Sequence, residues 1–268
     1  MSWQVTQVSD VGTSNPIVAR LTMGLYDIIR MAQIDDEKKK SIIEECFNVQ
    51  TALVQAEKAA KPLMDEIRSA EQKLCLEGVT TQSNGRVINT PGILLVDNSR
   101  VFLKFAKQAL QHLAAAMGMI LDEDFKGPHF HVVRDRAMKV FGADHSATIL
   151  LVEDQTWIKN IIDMRNEEEH PKSGKPFVRG FHISRATEGE YEFIIDPPRF
   201  YNDLMVLNHL EVYSHNLLTF AEEVVSLSLQ TYFPKIVTLA EIPEEQRDPS
   251  APIRFRLTLK EGVNFPKS

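Results

Sequence analysis

From Asp35, a side chain suited to capping a helix, to Gly78, a residue suited to ending one, the chain keeps helical spacing almost throughout. At 1.5 Å per residue such a helix is on the order of 60 Å long, and its apolar stripe has to be covered by another long element. That requirement restricts the fold to helical assemblies. Ile43, Cys46, Leu53, Ala60, Met64, Ile67 and Leu74 fall on a seven-residue repeat, but Gln50, Glu57 and Glu71 interrupt the same seam, too often for a sustained coiled coil. Pro62 predicts a kink. The covering partner is expected downstream. After the turn-rich connection 79-VTTQSNGRVINTPG-92, the residues Leu95, Phe102, Phe105, Ala109, Leu113, Met117 and Ile120 recur every three or four positions. Together the two stretches predict an antiparallel helical hairpin.

Either side of this hairpin the pattern remains mostly helical. Leu21, Leu25, Ile28 and Ile29 predict a first helix over 16–32 with Pro16 in its first turn, and further helices are expected over 129–141 and 146–170, the latter capped by Asp144. The period then changes. Residues 176–196 hold two β-like runs around a Glu-Gly turn, closed by Pro197 and Pro198, which predicts a β-hairpin. Leu204, Leu207, Leu210, Leu217, Phe220 and Val224 return to helical spacing over 199–232, and 253-IRFRLTLK-260 alternates strictly as a strand does. The expected fold is mainly α: a helical bundle with a long N-terminal helical hairpin, a β-hairpin inserted between the last two helices, and a short C-terminal strand placed to extend that hairpin. The expected division is a long-helix region over 1–126, a helical unit with its hairpin over 127–235, and a tail over 236–268.

Composition narrows the chemistry. Hydrophobic residues make up 43% and charged residues 25% of 268, with 12 Gly and 13 Pro, so neither a disordered nor a fibrous class fits. A formal charge of -7 argues against a phosphate-binding field over the whole molecule and leaves a local basic site open. The first ten residues lack a basic, then apolar leader, and no apolar run reaches the roughly 18 residues needed to span a bilayer, so a soluble cytoplasmic protein is expected. Cys46 and Cys75 have neither metal-site nor disulfide spacing, which suits a reducing compartment. Gly-rich phosphate loops, nucleophile elbows and zinc spacings are absent, and no cofactor is expected.

The unusual stretch is 164-MRNEEEHP-171. Three glutamates at the carbonyl end of a helix are each disfavoured by about 0.3 to 1 kcal/mol. At roughly 100° per residue, Arg165 projects into the apolar face defined by Trp157, Ile158, Ile161, Ile162 and Met164, whereas Glu167 points away. A guanidinium there needs an anionic partner: a carboxylate of the same chain, a second subunit, or a phosphate. Asn166 and His170 share another face, and Pro171 should end the helix at His170, leaving an imidazole at the carbonyl end as either a general acid or base or a simple cap.

Arg165, the polar Asn166 after it and then His170, on the penultimate long helix of an all-α unit, resemble the signature of the HEPN superfamily. The context is similar to a group of bacterial HEPN-like proteins in which the motif ends in Glu-His-Pro, here Glu169, His170 and Pro171. In those, a β-hairpin leads to a final helix like 217-LLTFAEEVV-225, and the resemblance covers residues 128 to 232. It implies a metal-independent endoribonuclease, commonly a toxin or anti-phage effector with a neutralising partner protein, in which two units face each other across one composite site. Arg165 would then hold the scissile phosphate, His170 would transfer protons during attack of the RNA 2′-hydroxyl, and Asn166 would orient one of them. Glu169 and Trp157 would support these residues. The alternative is a non-catalytic HEPN-like interaction or oligomerisation module in which Glu169 or another acid pairs with Arg165.

Three further readings stand beside these. Glu167 and His170 form a Glu-x-x-His pattern, but a di-metal carboxylate site needs the pattern twice and the chain has no second copy. His129 and His131 are spaced to clip a metal on an extended segment, although a polar helix start explains them more simply. Arg254, Arg256 and Lys260 line one face of the C-terminal strand, as cations following an RNA backbone would, or as a charged edge that discourages aggregation.

Overall fold

The computed structural model describes residues 11–79, 92–172, 174–185 and 193–260. The protein is mainly α, with 65% of the described residues helical. The Asn15 side chain accepts the Ile17 N–H, and α1 (Pro16–Val18) continues through a π-helical stretch, Ala19–Gly24, into α2 (Leu25–Met31). π-turns of this kind mark places where a helix is widened for a reason. Here the widened turn carries Arg20, a buried guanidinium whose partner is described below.

The long helix α3 (Asp36–Glu77) begins where Asp35 accepts the Glu37 N–H at 2.9 Å and ends before Gly78, whose φ of +69° is the left-handed conformation that suits glycine. It stays helical on both sides of Pro62. Cys46, Leu53, Ala60, Ile67 and Leu74 of the seven-residue seam are buried, as is the polar interruption Gln50, which accepts a hydrogen bond from the Thr22 hydroxyl. The next helix, α4 (Leu95–Leu121), stops because Asp122 turns left-handed at φ +52° and the Glu123 N–H reaches back to the Gly118 carbonyl at 2.9 Å. Gly118 is required there, since a Cβ would lie 2.5 Å from the Glu123 carbonyl oxygen. The final carbonyl, Leu121, accepts from Arg136 Nε and Nη2, both at 3.1 Å.

Four helices follow: α5 (Phe130–Phe141), α6 (Ser146–Glu153), α7 (Gln155–Glu169) and α8 (Val206–Gln230). The single helix expected over 146–170 is therefore divided at Asp154. Its cap is His145 rather than Asp144, because the His145 Nδ1 accepts the Ala147 N–H at 3.2 Å. The strands form three antiparallel pairs: β1 (Val178–Arg179) with β4 (Arg199–Phe200), β2 (His182–Arg185) with β3 (Phe193–Asp196), and β5 (Val237–Glu241) with β6 (Phe255–Leu259). Because Arg199 and Phe200 pair with β1, the last helix begins later than its spacing predicted. The C-terminal strand does not extend the hairpin; it pairs with β5, in the register Val237↔Leu259 to Glu241↔Phe255. The Glu-Gly turn and the connection over 80–91 lie outside the described residues.

The chain forms two compact units, each assembled from segments distant in sequence. One comprises the described parts of Met1–Val54, Ala106–Lys159 and Leu217–Ser268. Its core draws on Leu25 and Ile29, Ile42 and Val49 of α3, Leu113 and Met117 of α4, and Phe220 and Val224 of α8. Phe220 takes edge contacts from Phe130 at 5.4 Å and Trp157 at 5.7 Å. The other comprises the described parts of Gln55–Phe105 and Asn160–Asn216, with Leu63 and Ile67 of α3, Phe102 and Leu103 of α4, Ile161 and Met164 of α7, Phe200 and Leu210 in its core. No helix among the described residues is long and apolar enough to cross a membrane.

Candidate functional site

The end of α7 belongs to the second unit. The helix closes at Glu169, His170 sits in the bend that follows, and its N–H donates to the Asn166 carbonyl at 2.9 Å. The side chains of Asn166 and His170 are exposed. Arg165 is not: its side chain is 16% exposed and both ends of the guanidinium are engaged, Nη1 by Glu168 and Nη2 by Glu169 Oε1 at 2.8 Å. Glu168 is only 9% exposed, and its other oxygen receives Arg100 Nε from α4 at 2.7 Å. Asp97 lies 4.0 Å from Arg100 on its far side.

This network explains how a helix C-terminus tolerates three acids. Glu168 is shared by two arginines, Glu169 by one, and the Glu167 carboxylate accepts the Lys172 N–H at 2.8 Å, which holds the turn after Pro171. Two carboxylates one turn away from Arg165 satisfy the requirement for an anion beside a half-buried guanidinium. They differ in kind: Glu168 is sealed between arginines, whereas Glu169 is 36% exposed. Arg100 is the member of the site with no local sequence signal, because it arrives from a different helix.

The other expected residues separate. The apolar face of α7 is already covered within the chain, with Ile158, Ile161 and Met164 each at 1% exposure or less. Trp157 packs on Phe220, and burial raises the pKa of Asp154. Arg254 does not join Arg256 and Lys260 on an open face. It is clasped by Glu223 at 2.6 Å and Glu241 at 2.8 Å, with Glu222 at 3.9 Å, whereas Arg256 and Lys260 are exposed. Burial raises the pKa of Glu222, and Arg20 opposes that with Nη2 at 2.6 Å and Nε at 2.8 Å. No local sequence signal marks this buried group. His129 and His131 meet edge to face at 5.9 Å at the start of α5. Among the described residues, no group of three or more His, Cys, Asp or Glu side chains is arranged to hold a metal ion. Both cysteines are free, and burial with the neighbouring Glu45 pushes the Cys46 thiol up to about 12, far from thiolate chemistry near neutrality.

No protein-family model matches the chain, and neither a curated protein nor a solved structure matches it.

Proposed function

We propose that the chain is a HEPN-like, metal-independent endoribonuclease acting at the end of α7, with RNA as substrate and a second copy of the chain completing the site. The observation that carries the reading is the grouping of an arginine held in place, an exposed Asn166 and an exposed His170 on one helix end. In the reaction, the RNA 2′-oxygen bonds to phosphorus as its proton passes to one imidazole, and the bond to the 5′-oxygen breaks as the second copy's imidazole gives that oxygen a proton. The phosphate takes the place of Glu169 on Arg165, while Glu168, anchored by Arg100, acts as a positioning residue that keeps the guanidinium aimed. The role implied by the resemblance is that of a toxin or anti-phage effector, kept in check by a partner protein.

The test is cleavage of single-stranded RNA in the presence of a chelator. Arg165→Ala and His170→Ala each abolish it, losing about 10² to 10⁴ in rate from proton transfer alone at His170. Glu169→Gln retains activity and tightens RNA binding. Glu167 is not an inert control, since it holds the following turn; Glu153, exposed at the end of α6, serves instead. A second reading is favoured by the double pairing of Arg165: a non-catalytic HEPN-like interaction module. It requires that the unmodified protein cleave no RNA and that Arg165→Ala lower stability.

A further inference from the structure

β1 and β2 are separated by Gly180 and Phe181, and β3 and β4 by Pro197 and Pro198. The prolines cannot donate to a ladder, so pairing is interrupted there, and at the interruption a cavity of about 440 Å³ opens in the second unit. Arg179, Gly180, Phe181 and His182 line one side of it, Asp196 and Arg199 the other. Arg179 and Arg199 are direct cross-strand partners, an arrangement that like charges disfavour unless something lies between or beside them. Asp203 is part of the answer. It takes the left-handed conformation at φ +66°, its carboxylate meets Arg179, and its carbonyl accepts from Arg199 Nη1 at 2.8 Å. Asp196 accepts from Arg199 Nη2 at 3.1 Å. Both guanidiniums are thereby fixed in orientation, with N–H groups left over from their five donors each. Phe181 is half-buried, and its ring meets no other aromatic ring among the described residues. A Cβ on Gly180 would meet nothing within 4 Å, so the lining at that position is uncrowded.

We propose that this cleft binds one nucleotide of a single-stranded RNA, the base stacking on Phe181 and the phosphate lying against Arg179 and Arg199, with His182 beside it. The recess is large enough for a single unstacked base with its sugar and phosphate and too small for a duplex, and an aromatic face flanked by oriented guanidiniums is the chemistry that single strands use. The choice of an RNA strand over a free nucleotide rests on the ribonuclease reading of α7; the cleft itself does not.

The experiment is fluorescence anisotropy of a labelled single-stranded RNA carrying 2′-fluoro sugars, which lack the attacking hydroxyl, so that binding is read independently of cleavage. Phe181→Leu, which keeps apolar bulk and removes the stacking face, weakens binding roughly tenfold, and Phe181→Trp restores it. Arg179→Gln weakens binding and lowers the salt dependence by about one phosphate contact. Adenosine monophosphate competes only at far higher concentration than the strand. The proposal is overturned if the unmodified protein does not bind the strand, if both variants bind like it, or if the mononucleotide competes as well as the strand. Failure of the α7 reading is seen separately, as intact binding with no cleavage of ordinary RNA.

Discussion

Arg20 and Glu222 show what a buried charge requires at the scale of single residues. Glu222 is 1% exposed, and its Oε2 accepts from Arg20 Nε and lies 2.6 Å from Nη2. Breaking such a pair from one side leaves an uncompensated buried ion, which typically costs about 3 to 5 kcal/mol. Arg20→Ala is therefore expected to lower the denaturant midpoint sharply, while Arg20→Met combined with Glu222→Leu recovers most of the loss. A single variant within 1 kcal/mol of the parent would mean that Arg254, at 3.9 Å, carries the compensation. The same physics governs Arg165. That it needs an anion is legible from helix projection, because an arginine among Ile158 and Ile161 cannot stay unpaired. Its anions, Glu168 and Glu169, lie one turn on along the same helix; that Arg100 in turn holds Glu168 is not legible, because those two meet only when α4 and α7 come together.

Among the elements, α6 depends on an imidazole as its cap. The His145 ring stacks on Phe141 at 4.7 Å, its Nε2 meets the Thr231 hydroxyl at 3.0 Å and its Nδ1 accepts from Ala147, and the last of these requires the neutral form. Burial holds its pKa below the ordinary histidine value. A base whose folded pKa is depressed adds stability above its unfolded pKa of about 6.5 and loses it as pH falls below that value. Urea unfolding at pH 7.5 and 5.5 should therefore show His145→Asn, a cap that does not titrate, gaining on the parent protein at the lower pH. The comparison is needed because burial depresses His209 as well, and both variants share that loss. A constant difference between the two pH values would remove His145 from the acid response. Sequence placed the cap one residue early because Asp is the stronger capping type; Phe141 and Thr231 make histidine the better fit.

At the scale of the whole molecule, the composite site proposed at α7 would require two copies. Light scattering at micromolar protein should report a dimer, alone or with RNA, and a strict monomer under both conditions would leave only single-copy chemistry at α7. The apolar face of α7 does not supply that interface, because Ile158, Ile161 and Met164 are used within the chain. By itself the sequence determined the helical class, the long α3 with its Asp35 start and Gly78 stop, the end of α7 at the proline, and the demand of Arg165 for an anion. These follow from local spacing, capping and desolvation, which act within a few residues. Only the tertiary structure decided that α3, α4, α7 and α8 each contribute to both units, that β6 pairs with β5, that Arg254 faces three glutamates, and that Arg100 completes the Arg165 network. Those outcomes turn on which remote segments bury one another's apolar faces and neutralise one another's charges, and neighbours along the chain carry no record of that choice.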